Sequence, residues 1–323
     1  MPHASRYTMY GLRVQSDIPL PLPRLSGTDG EDCAWVVRCA PSTATLSIPA
    51  WSPIDDHQLP DGTLIDRFYR WQGDAWLWDR VAGLFHLEPG AGRITVTPLP
   101  DADQDDLGLL IVGPIAAFML QQAGYPTLHA SAVVTAYGAC AFMAPSTFGK
   151  STLAAGLLHA GARLLTDDLL PLDLRTDGVY AMPGAPMMKL WSNTAQGTLG
   201  ISDELPRLSG LTDKRLLTLG QHPYAFQPEA APLRAIYLPR RYDPIRDGHT
   251  TVRVEPLSPR DAVLALLSQT FRGHYLYPHE LAALLQQYSQ LAQQVQVAIL
   301  HLPDGLEHRD AVTQRIMSDL AAL

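Results

Sequence analysis

The sequence predicts two domains: a smaller β-rich domain over residues 1–104, followed by an α/β domain over residues 105–323. Three observations lead to this prediction. The first part of the chain consists of short β-rich runs separated by Gly, Pro and Asp. Further along, the stretch MAPSTFGKST at residues 143–152 joins a strand pattern to a helix pattern. After that helix, an apolar run ends in the acidic pair Asp167 and Asp168, which indicates another strand of the same domain.

Composition places the chain among folded globular proteins. Its 323 residues suffice for one large domain or two ordinary ones, and 46% hydrophobic with 17% charged residues leaves no long segment typical of disorder. The net charge of -8 argues against a nucleic-acid partner. Three irregularly spaced cysteines, Cys33, Cys39 and Cys140, form neither a disulfide framework nor a zinc motif. Because no apolar run of membrane-spanning length and no signal-peptide pattern occurs, we expect a cytoplasmic protein with no membrane partner.

The N-terminal domain is predicted to be an antiparallel β meander from Tyr7 to about Pro100. Its strand candidates are CAWVVRC, TLIDRFYRW, DAWLWDRV, GLFHLEP and GRITVTP. After it, DADQDDLGLLIVGPIAAFMLQQAGY places Asp-rich capping before an apolar helix from about Asp106 to Ala123, with a kink or a later start at Pro114. The start of this helix sets the predicted domain boundary.

The α/β domain is predicted from its strand and helix patterns in order. TLHASAVVTAYGACAFMAP contains two strands joined by a turn at Ala136 to Gly138, and FGKSTLAAGLLHAG is an amphipathic helix closed by Gly161. Strands follow in ARLLTDDLLPLDL and RAIYLPR. Ser258 caps a helix whose first residue is Pro259, HELAALLQQYSQLAQQ forms another helix, and VQVAILHLP is the terminal strand.

The loop before the amphipathic helix predicts a nucleotide site. The pattern G-x-x-x-x-G-K-[ST] is met at Gly149, Lys150 and Ser151, with Ala144 in place of the first glycine, which is acceptable if its φ is negative. In such a loop, backbone N–H groups and the helix dipole hold phosphates, the lysine neutralises charge, and the serine hydroxyl binds Mg²⁺. We expect Lys150 to face solvent, so that Lys150→Ala leaves the fold intact. The predicted ATP-binding residues are Ala144, Pro145, Ser146, Thr147, Phe148, Gly149, Lys150, Ser151 and Thr152.

The acidic pair offers the carboxylates that phosphoryl transfer needs. By itself, a doublet such as Asp167 and Asp168 is typical of a solvated turn. Its place after the loop indicates a functional pair: a GTPase-like switch needs one carboxylate on Mg²⁺, a kinase needs a carboxylate that accepts the proton of the attacking hydroxyl, and a doublet can serve both. His129 is expected on the neighbouring strand, where it could reach one aspartate and fix its orientation or proton state. The alternative for His129 is a partly buried histidine satisfied by the backbone.

Three of these segments together resemble the catalytic domain of the bacterial HPr serine kinase/phosphorylase family. LHASAVV, APSTFGKST and LLTDD have the order and spacing of that family's histidine strand, loop and Asp-Asp strand. PGAPMMKLWSN, DKRLLTL, RAIYLPR and the opening YGLRVQSDIPLPLP resemble HPr-kinase-related proteins found beside genes for lasso peptides and other modified peptides. The resemblance implies an HPr-kinase-like P-loop catalytic domain behind an N-terminal domain unlike that of the HPr enzyme.

The resemblance also implies roles for individual residues. It places Lys150 on the nucleotide phosphates and Ser151 on Mg²⁺. Either Asp168 or Asp167 is the general base, with His129 as its neighbour; we take Asp168 as the base and Asp167 as the second Mg²⁺ ligand. The implied cofactors are ATP and Mg²⁺.

The sequence departs from the family at two places. Ala144 and Thr147 stand where the family's loop has glycines. The family's longer signature after the aspartate strand, linked there to the phosphorolytic reaction, is not found. We therefore predict a kinase without phosphorylase activity.

The predicted function is ATP-dependent phosphorylation of a serine hydroxyl on a ribosomally made precursor peptide. The alternatives are an HPr-type protein serine kinase, an NTPase that drives a conformational change, and a catalytically inactive nucleotide-sensing scaffold. The expected partner is a precursor peptide or a small protein. A homo-oligomer is left open, because relatives form hexamers.

Several basic residues are candidates for stabilising charge on the γ-phosphate: Lys189, Lys214, Arg215 and Arg272. For each of them the alternative is a solvated or salt-bridged side chain. Trp191 is expected to pack against other residues rather than to stack on adenine.

Overall fold

The structure is a computed structural model of mixed α/β architecture, as the sequence predicts. It describes residues 4–25, 32–41, 47–145, 147–201, 205–209, 212–219 and 223–323. The chain divides into two compact units. The first unit comprises Met1–Tyr125 and Arg272–Leu281, and the second comprises Pro126–Phe271 and Ala282–Leu323.

An eight-stranded sheet forms the first unit. Its strands are β1 Ser5–Met9, β2 Leu12–Ser16, β3 Trp35–Cys39, β4 Asp55–Gln58, β5 Leu64–Trp71, β6 Asp74–Asp79, β7 Gly83–Glu88 and β8 Arg93–Pro98, in the order β1-β2-β3-β8-β7-β6-β5-β4. From β4 to β8 the strands form the predicted antiparallel meander. The prediction of a wholly antiparallel sheet is wrong at β3, which pairs in parallel with both β2 and β8. Short turns fix the direction of hairpin strands, whereas long connections flank β3 and leave its direction to packing.

The helix that we predicted to open the second domain belongs to the first unit. It consists of α1 Gln104–Leu110, a π-helical segment Ile111–Ile115 and α2 Ala116–Gln122. The predicted kink is present: Gly113, before Pro114, has non-helical angles of φ -104° and ψ -108°. Gly108 of α1 packs against residues 19–21, since an added Cβ would lie 2.8 Å from the carbonyl oxygen of Pro19. The Asp-rich cap therefore marks the start of a helix that is buried in the first unit, and the predicted boundary at residue 104 lies within that unit.

The second unit contains the loop that we predicted to bind nucleotide. The strands of this unit are β9 Thr127–Leu128, β10 Ala130–Thr135, β11 Gly138–Met143, β12 Arg163–Thr166, β13 Leu170–Arg175, β14 Gly178–Ala181, β15 Met187–Trp191, β16 Arg207–Ser209, β17 Thr212–Thr218, β18 Ala231–Tyr242, β19 Arg253–Pro256 and β20 Gln296–Pro303. The predicted hairpin of β10 and β11 is confirmed. Strand β12 pairs antiparallel with β10, and β18 pairs in parallel with both β11 and β20. A separate sheet has the order β15-β17-β16.

The remaining helices are α3 Lys150–His159, α4 Ser192–Leu199, α5 Pro244–Asp247, α6 Pro259–Ser268, α7 Pro278–Gln294 and α8 Arg309–Ala322, with 3-10 turns at Pro89–Ala91, Gly273–Tyr275 and Leu306–His308. Helix α3 is not amphipathic as predicted, because residues 154–158 are all buried between the sheet and helices α4 and α8. Strand β20 is not the terminal element, since α8 follows it and contributes Val312, Ile316 and Leu320 to the core. Among the helices of the described ranges, none has both the length and the apolar character needed to cross a membrane.

Candidate active site

The candidate loop, residues 144–149, joins the end of β11 to the start of α3. Positive φ angles in its described part occur at Thr147 (φ 72°) and Gly149 (φ 94°), and not at Ala144. Ala144 therefore meets the condition that we set for an alanine at the first position of the pattern. Thr147 is β-branched, and its left-handed conformation is a strained one that a glycine would adopt freely. Ser146, which we predicted to bind nucleotide, lies outside the described residues.

The N-terminus of α3 is open for an anion. Gly149 is the N-cap residue, and no side chain of the described residues caps the helix there. The first N–H groups of such a helix lack intrahelical partners and carry the positive end of its dipole. Within the candidate loop and α3, Thr147 through Leu153 line a cleft of about 640 Å³. A helix end of this kind can hold a phosphate.

The ammonium group of Lys150 lies beneath the loop, and only 6% of the residue is exposed. Its Nζ donates to the carbonyl oxygens of Ala144 at 2.7 Å and Pro145 at 3.2 Å, and it contacts Nε2 of His129 at 3.0 Å. Burial lowers the pKa of Lys150, against the opposing charges of Asp168 and Asp167. The expectation of a solvent-facing lysine is wrong, because the loop folds over the ammonium group and uses it as a hydrogen-bond donor.

His129 connects Lys150 to the acidic pair. Its Nδ1 lies 3.0 Å from the backbone oxygen of Asp168, so Nδ1 must carry the proton, and the neutral Nε2 accepts from Lys150. Burial, and then the charge of Lys150, lower the pKa of His129, which keeps the ring neutral. We expected His129 beside one aspartate. It contacts the backbone oxygen of Asp168 and not a carboxylate. The hydrogen bond that satisfies the partly buried ring is therefore also the one that links it to the acidic pair.

Asp167 follows β12 directly and is enclosed by three donors. Its Oδ1 accepts from Ser131 at 2.5 Å and from Ser151 at 2.9 Å, and its Oδ2 accepts from the backbone N–H of Lys189 at 2.8 Å. Burial, and then the charge of Asp168, raise the pKa of Asp167. The contact with Ser151 joins the first turn of α3 to the end of β12, which puts the two residues that we predicted to bind Mg²⁺ next to each other.

Asp168 has a different environment from its neighbour. Its backbone is left-handed, with φ 74°, a conformation that is uncommon for residues other than glycine. Oδ2 accepts from Nζ of Lys189 at 2.8 Å, and both side chains are about one-third exposed. Burial opposes ionisation of Asp168, but the charge and the hydrogen bond of Lys189 outweigh it and lower its pKa to about 2. Asp168 is therefore ionised at neutral pH.

Lys189, on β15, holds both aspartates. Its backbone N–H binds Asp167 while its ammonium group binds Asp168. The pKa of Lys189 is raised, because the charge and hydrogen bond of Asp168 outweigh the effect of burial. We predicted Lys189 as a candidate for the γ-phosphate, and the structure shows a lysine that lines the cleft and already has a carboxylate partner.

The other basic candidates for the γ-phosphate are Lys214, Arg215 and Arg272, of which Lys214 lines the cleft. Lys214 lines the cleft, with Nζ 5.5 Å from the ring centre of Trp191. Trp191, which we expected to pack against other residues, is 37% exposed and lines the same cleft. Arg215 donates to the carbonyl of Leu205 and lies 3.7 Å from Asp213. Arg272 is part of the first unit and lies 3.6 Å from Asp66 there.

Sequence reasoning missed three residues of this region. Ser131, which donates to Asp167, lies two positions after His129, so the alternation of a strand would have placed both on one face. Arg241 and Asp304 line the cleft and form an ion pair of 3.0 Å. They come from the ends of β18 and β20, and no short motif marks them.

The residues present fit Mg²⁺ and a nucleoside triphosphate. Ser151 offers a hydroxyl and Asp167 a carboxylate oxygen, and the hydroxyl donates a hydrogen bond to that oxygen. Mg²⁺ in nucleotide sites is held by one or two protein oxygens, with phosphates and water completing its octahedron. In the described ranges, no cluster of three or more His, Cys, Asp and Glu side chains is arranged to hold a metal. The cleft has the volume of a small-molecule site and basic residues on its walls.

Comparison with known proteins gives matches among solved structures only. The chain matches no protein-family model and no curated protein. A solved structure that matches it is the HPr(Ser) kinase/phosphatase from Coxiella burnetii, with a TM-score of 0.31 and 12% sequence identity, over 60% of this chain and 95% of that one.

Proposed function

We propose that the second unit is an ATP- and Mg²⁺-dependent phosphotransferase that phosphorylates a serine hydroxyl on a ribosomally made precursor peptide. The observation that carries this proposal is the contact between Ser151 Oγ and Asp167 Oδ1 at 2.9 Å. In P-loop enzymes the loop serine and a carboxylate after a neighbouring strand hold Mg²⁺ together. Here those two groups meet beside an uncapped helix N-terminus and a buried lysine.

The residues of the site have separate roles in the proposed phosphoryl transfer. Backbone N–H groups at the start of α3 hold the phosphates, and the ammonium of Lys150, which donates to Ala144, Pro145 and His129, contributes positive charge near them. Ser151 and Asp167 would hold Mg²⁺, which neutralises charge on the phosphates when bound. His129 orients Lys150 through Nε2 and stays neutral, so that it adds no charge of its own.

Asp168 is the residue that we assign to the acceptor hydroxyl. Lys189 engages Oδ2 and keeps the carboxylate ionised, and Oδ1 takes the proton of the attacking serine. The serine oxygen forms a bond to the γ-phosphorus while the bond from that phosphorus to the β-γ bridging oxygen breaks, and ADP leaves. The contribution of the site is positioning and charge stabilisation rather than covalent chemistry.

The acceptor is proposed from positional demands and from the sequence resemblance. The reacting oxygen must come within about 3 to 3.5 Å of the phosphorus and in line with the leaving group. The end of a flexible peptide reaches such a point in a cleft more readily than a hydroxyl inside a folded domain does. The opening segment YGLRVQSDIPLPLP and the missing phosphorolysis signature favour a peptide kinase that does not run backwards.

The proposal is tested by mass spectrometry of candidate acceptors incubated with the full-length protein and Mg-ATP. We expect a phosphate on a serine of a precursor peptide, and none after the change Ser151→Ala, which removes one oxygen ligand and little volume. Ser268→Ala, at the exposed end of α6, is the matched control. Lys150→Ala should also be inactive, but Ser151→Ala is the cleaner change because Lys150 supports the loop.

Four outcomes would contradict the peptide-kinase proposal. Phosphate on HPr alone would make the protein an HPr-type kinase. Phosphate release without an acceptor would make it an NTPase, and nucleotide binding without turnover would make it a scaffold. Full activity of the Ser151→Ala variant would remove the assigned site.

A further inference from the structure

We propose that Arg241 is a nucleotide-binding residue, whose guanidinium group contacts the phosphates at the candidate loop, and that Asp304 pairs with Arg241 until the phosphates take the place of its carboxylate. This inference rests on the proposed nucleotide site. It adds a cationic residue from β18, which the loop motif does not contain.

Arg241 lies directly against the last residue of the loop. A Cβ built on Gly149 would lie 2.5 Å from Nη2 of Arg241 and 3.4 Å from its Cζ. The guanidinium group therefore lies beside Gly149, the residue at which α3 is capped. Both Arg241 and Gly149 line the 640 Å³ cleft. A phosphate held by the N-terminus of α3 would come within reach of this group.

The sheet brings Arg241 to this place. Strand β11 ends at Met143 and leads into the loop, whereas its parallel neighbour β18 continues to Tyr242. Next to β18, β20 continues to Pro303, and Asp304 follows with its N–H bound to the carbonyl of Tyr242. The two longer strands thus extend beside the loop and place Arg241 and Asp304 at its edge.

The ion pair with Asp304 occupies only part of the guanidinium group. Nη1 donates to Oδ1 of Asp304 at 3.0 Å, while Nη2 is the atom nearest Gly149. The two side chains are 41% and 61% exposed, and exposed pairs of this kind contribute little to stability. Exchanging Asp304 for a phosphate therefore has a small cost. A guanidinium can also form two parallel hydrogen bonds to phosphate oxygens, which a lysine cannot do.

The test is the affinity of the full-length protein for Mg-ATP, measured by isothermal titration calorimetry. We expect Arg241→Gln to weaken binding about tenfold or more, because it removes a charged hydrogen-bond donor from the phosphates. Arg241→Lys should also weaken binding. Arg240→Gln, at the exposed neighbouring position of β18, is the matched control and should bind like the wild type.

Asp304→Asn separates a phosphate contact from a structural ion pair. If Arg241 binds phosphate, removing its competing carboxylate should leave the affinity unchanged or raise it. Equal weakening by Asp304→Asn and Arg241→Gln would overturn the inference, as would wild-type affinity of Arg241→Gln. A wild-type protein that does not bind Mg-ATP would overturn the proposed function itself, so the two failures are distinguishable.

Discussion

The ammonium group of Lys150 serves the loop and the site together. It donates to two loop carbonyls and to His129, and His129 in turn donates to the backbone of Asp168. A change at Lys150 therefore alters the loop shape as well as the charge at the proposed phosphate site. For that reason the two aspartates, which differ in partners and in pKa, give a clearer test of roles than the lysine does.

We expect the two aspartates to fail in different ways when each is changed to Asn. Asp167→Asn should weaken Mg-ATP binding, because Asp167, whose Oδ1 accepts from Ser151, is the carboxylate that we propose as a Mg²⁺ ligand. Asp168→Asn should lower kcat while Mg-ATP affinity stays nearly unchanged, because it removes the carboxylate that we propose as the proton acceptor. Calorimetry and steady-state kinetics measure the two effects.

The control for these changes is Asp173→Asn, on β13 in the same unit, whose carboxylate pairs with Arg175 at an exposed position. It should leave both quantities as they are. A reversed pattern would exchange the roles of Asp167 and Asp168, and two silent variants would remove the acidic pair from the mechanism.

Helix α6 shows how far a local sequence signal can fix an element. Ser258 accepts from the backbone N–H of Asp261 and donates to the side chain of Asp261, and Pro259 is the first helical residue, as predicted. These interactions depend only on residues within one turn, so packing is not needed to specify them. The same is true of the kink at Pro114.

We expect Ser258→Ala to lower the free energy of unfolding by about 0.5–2 kcal/mol, because it leaves an N–H of the first helical turn without its acceptor. Urea denaturation followed by circular dichroism measures the change. Ser268→Ala, near the other end of the same helix, removes only a donor to an exposed carbonyl and should change little. Equal losses in both variants would show that the cap does not stabilise the helix.

A buried ion pair explains why the segment Arg272–Leu281 belongs to the first unit. Arg70, with 3% of its side chain exposed, donates to both oxygens of Glu280 at 2.5 and 2.8 Å and to the carbonyl of Tyr275 at 3.1 Å. The ring of Tyr275 stacks on Phe68 with 3.7 Å between the ring centres. Burial disfavours the charged form of Glu280, but hydrogen bonds from Arg70, from the N–H of Tyr277 and from Gln122 outweigh it and lower the pKa to about 2.

We expect Arg70→Met to destabilise the first unit by about 3 kcal/mol, because it leaves a largely buried carboxylate without its cation. The folded-state pKa of Glu280 lies below its ordinary value of 4.5, so its contribution is fully present above pH 4.5 and is lost as the pH falls towards 2. The variant should lack that part of the acid dependence.

Tryptophan fluorescence during urea denaturation between pH 2 and 7 measures this change, and most of the signal comes from the first unit, through Trp35, Trp51, Trp71, Trp76 and Trp78. The control is Arg93→Met, which breaks an exposed pair with Glu88 in the same unit and should have a small effect. An Arg70→Met protein with unchanged stability and an unchanged acid limb would contradict the role of the pair.

The sequence by itself determined the elements whose specification is local. The β-rich first part, the hairpin of β10 and β11, the strand-loop-helix around Lys150 and the cap at Ser258 all follow from periodicity, turn residues and capping, which act over a few positions. It also identified Ser151 and Asp167 as candidate partners, which the structure places 2.9 Å apart.

Only the tertiary structure decided the features that depend on distant residues. These are the parallel pairing of β3, the membership of Arg272–Leu281 in the first unit, the pairing of Lys189 with Asp168, and the position of Arg241 against Gly149. Strand direction, burial and charge partners depend on which segments pack together. The residues next to a given position in the sequence do not indicate which distant residue it will contact. For this reason the two adjacent aspartates, alike in sequence, have opposite pKa shifts in the folded protein.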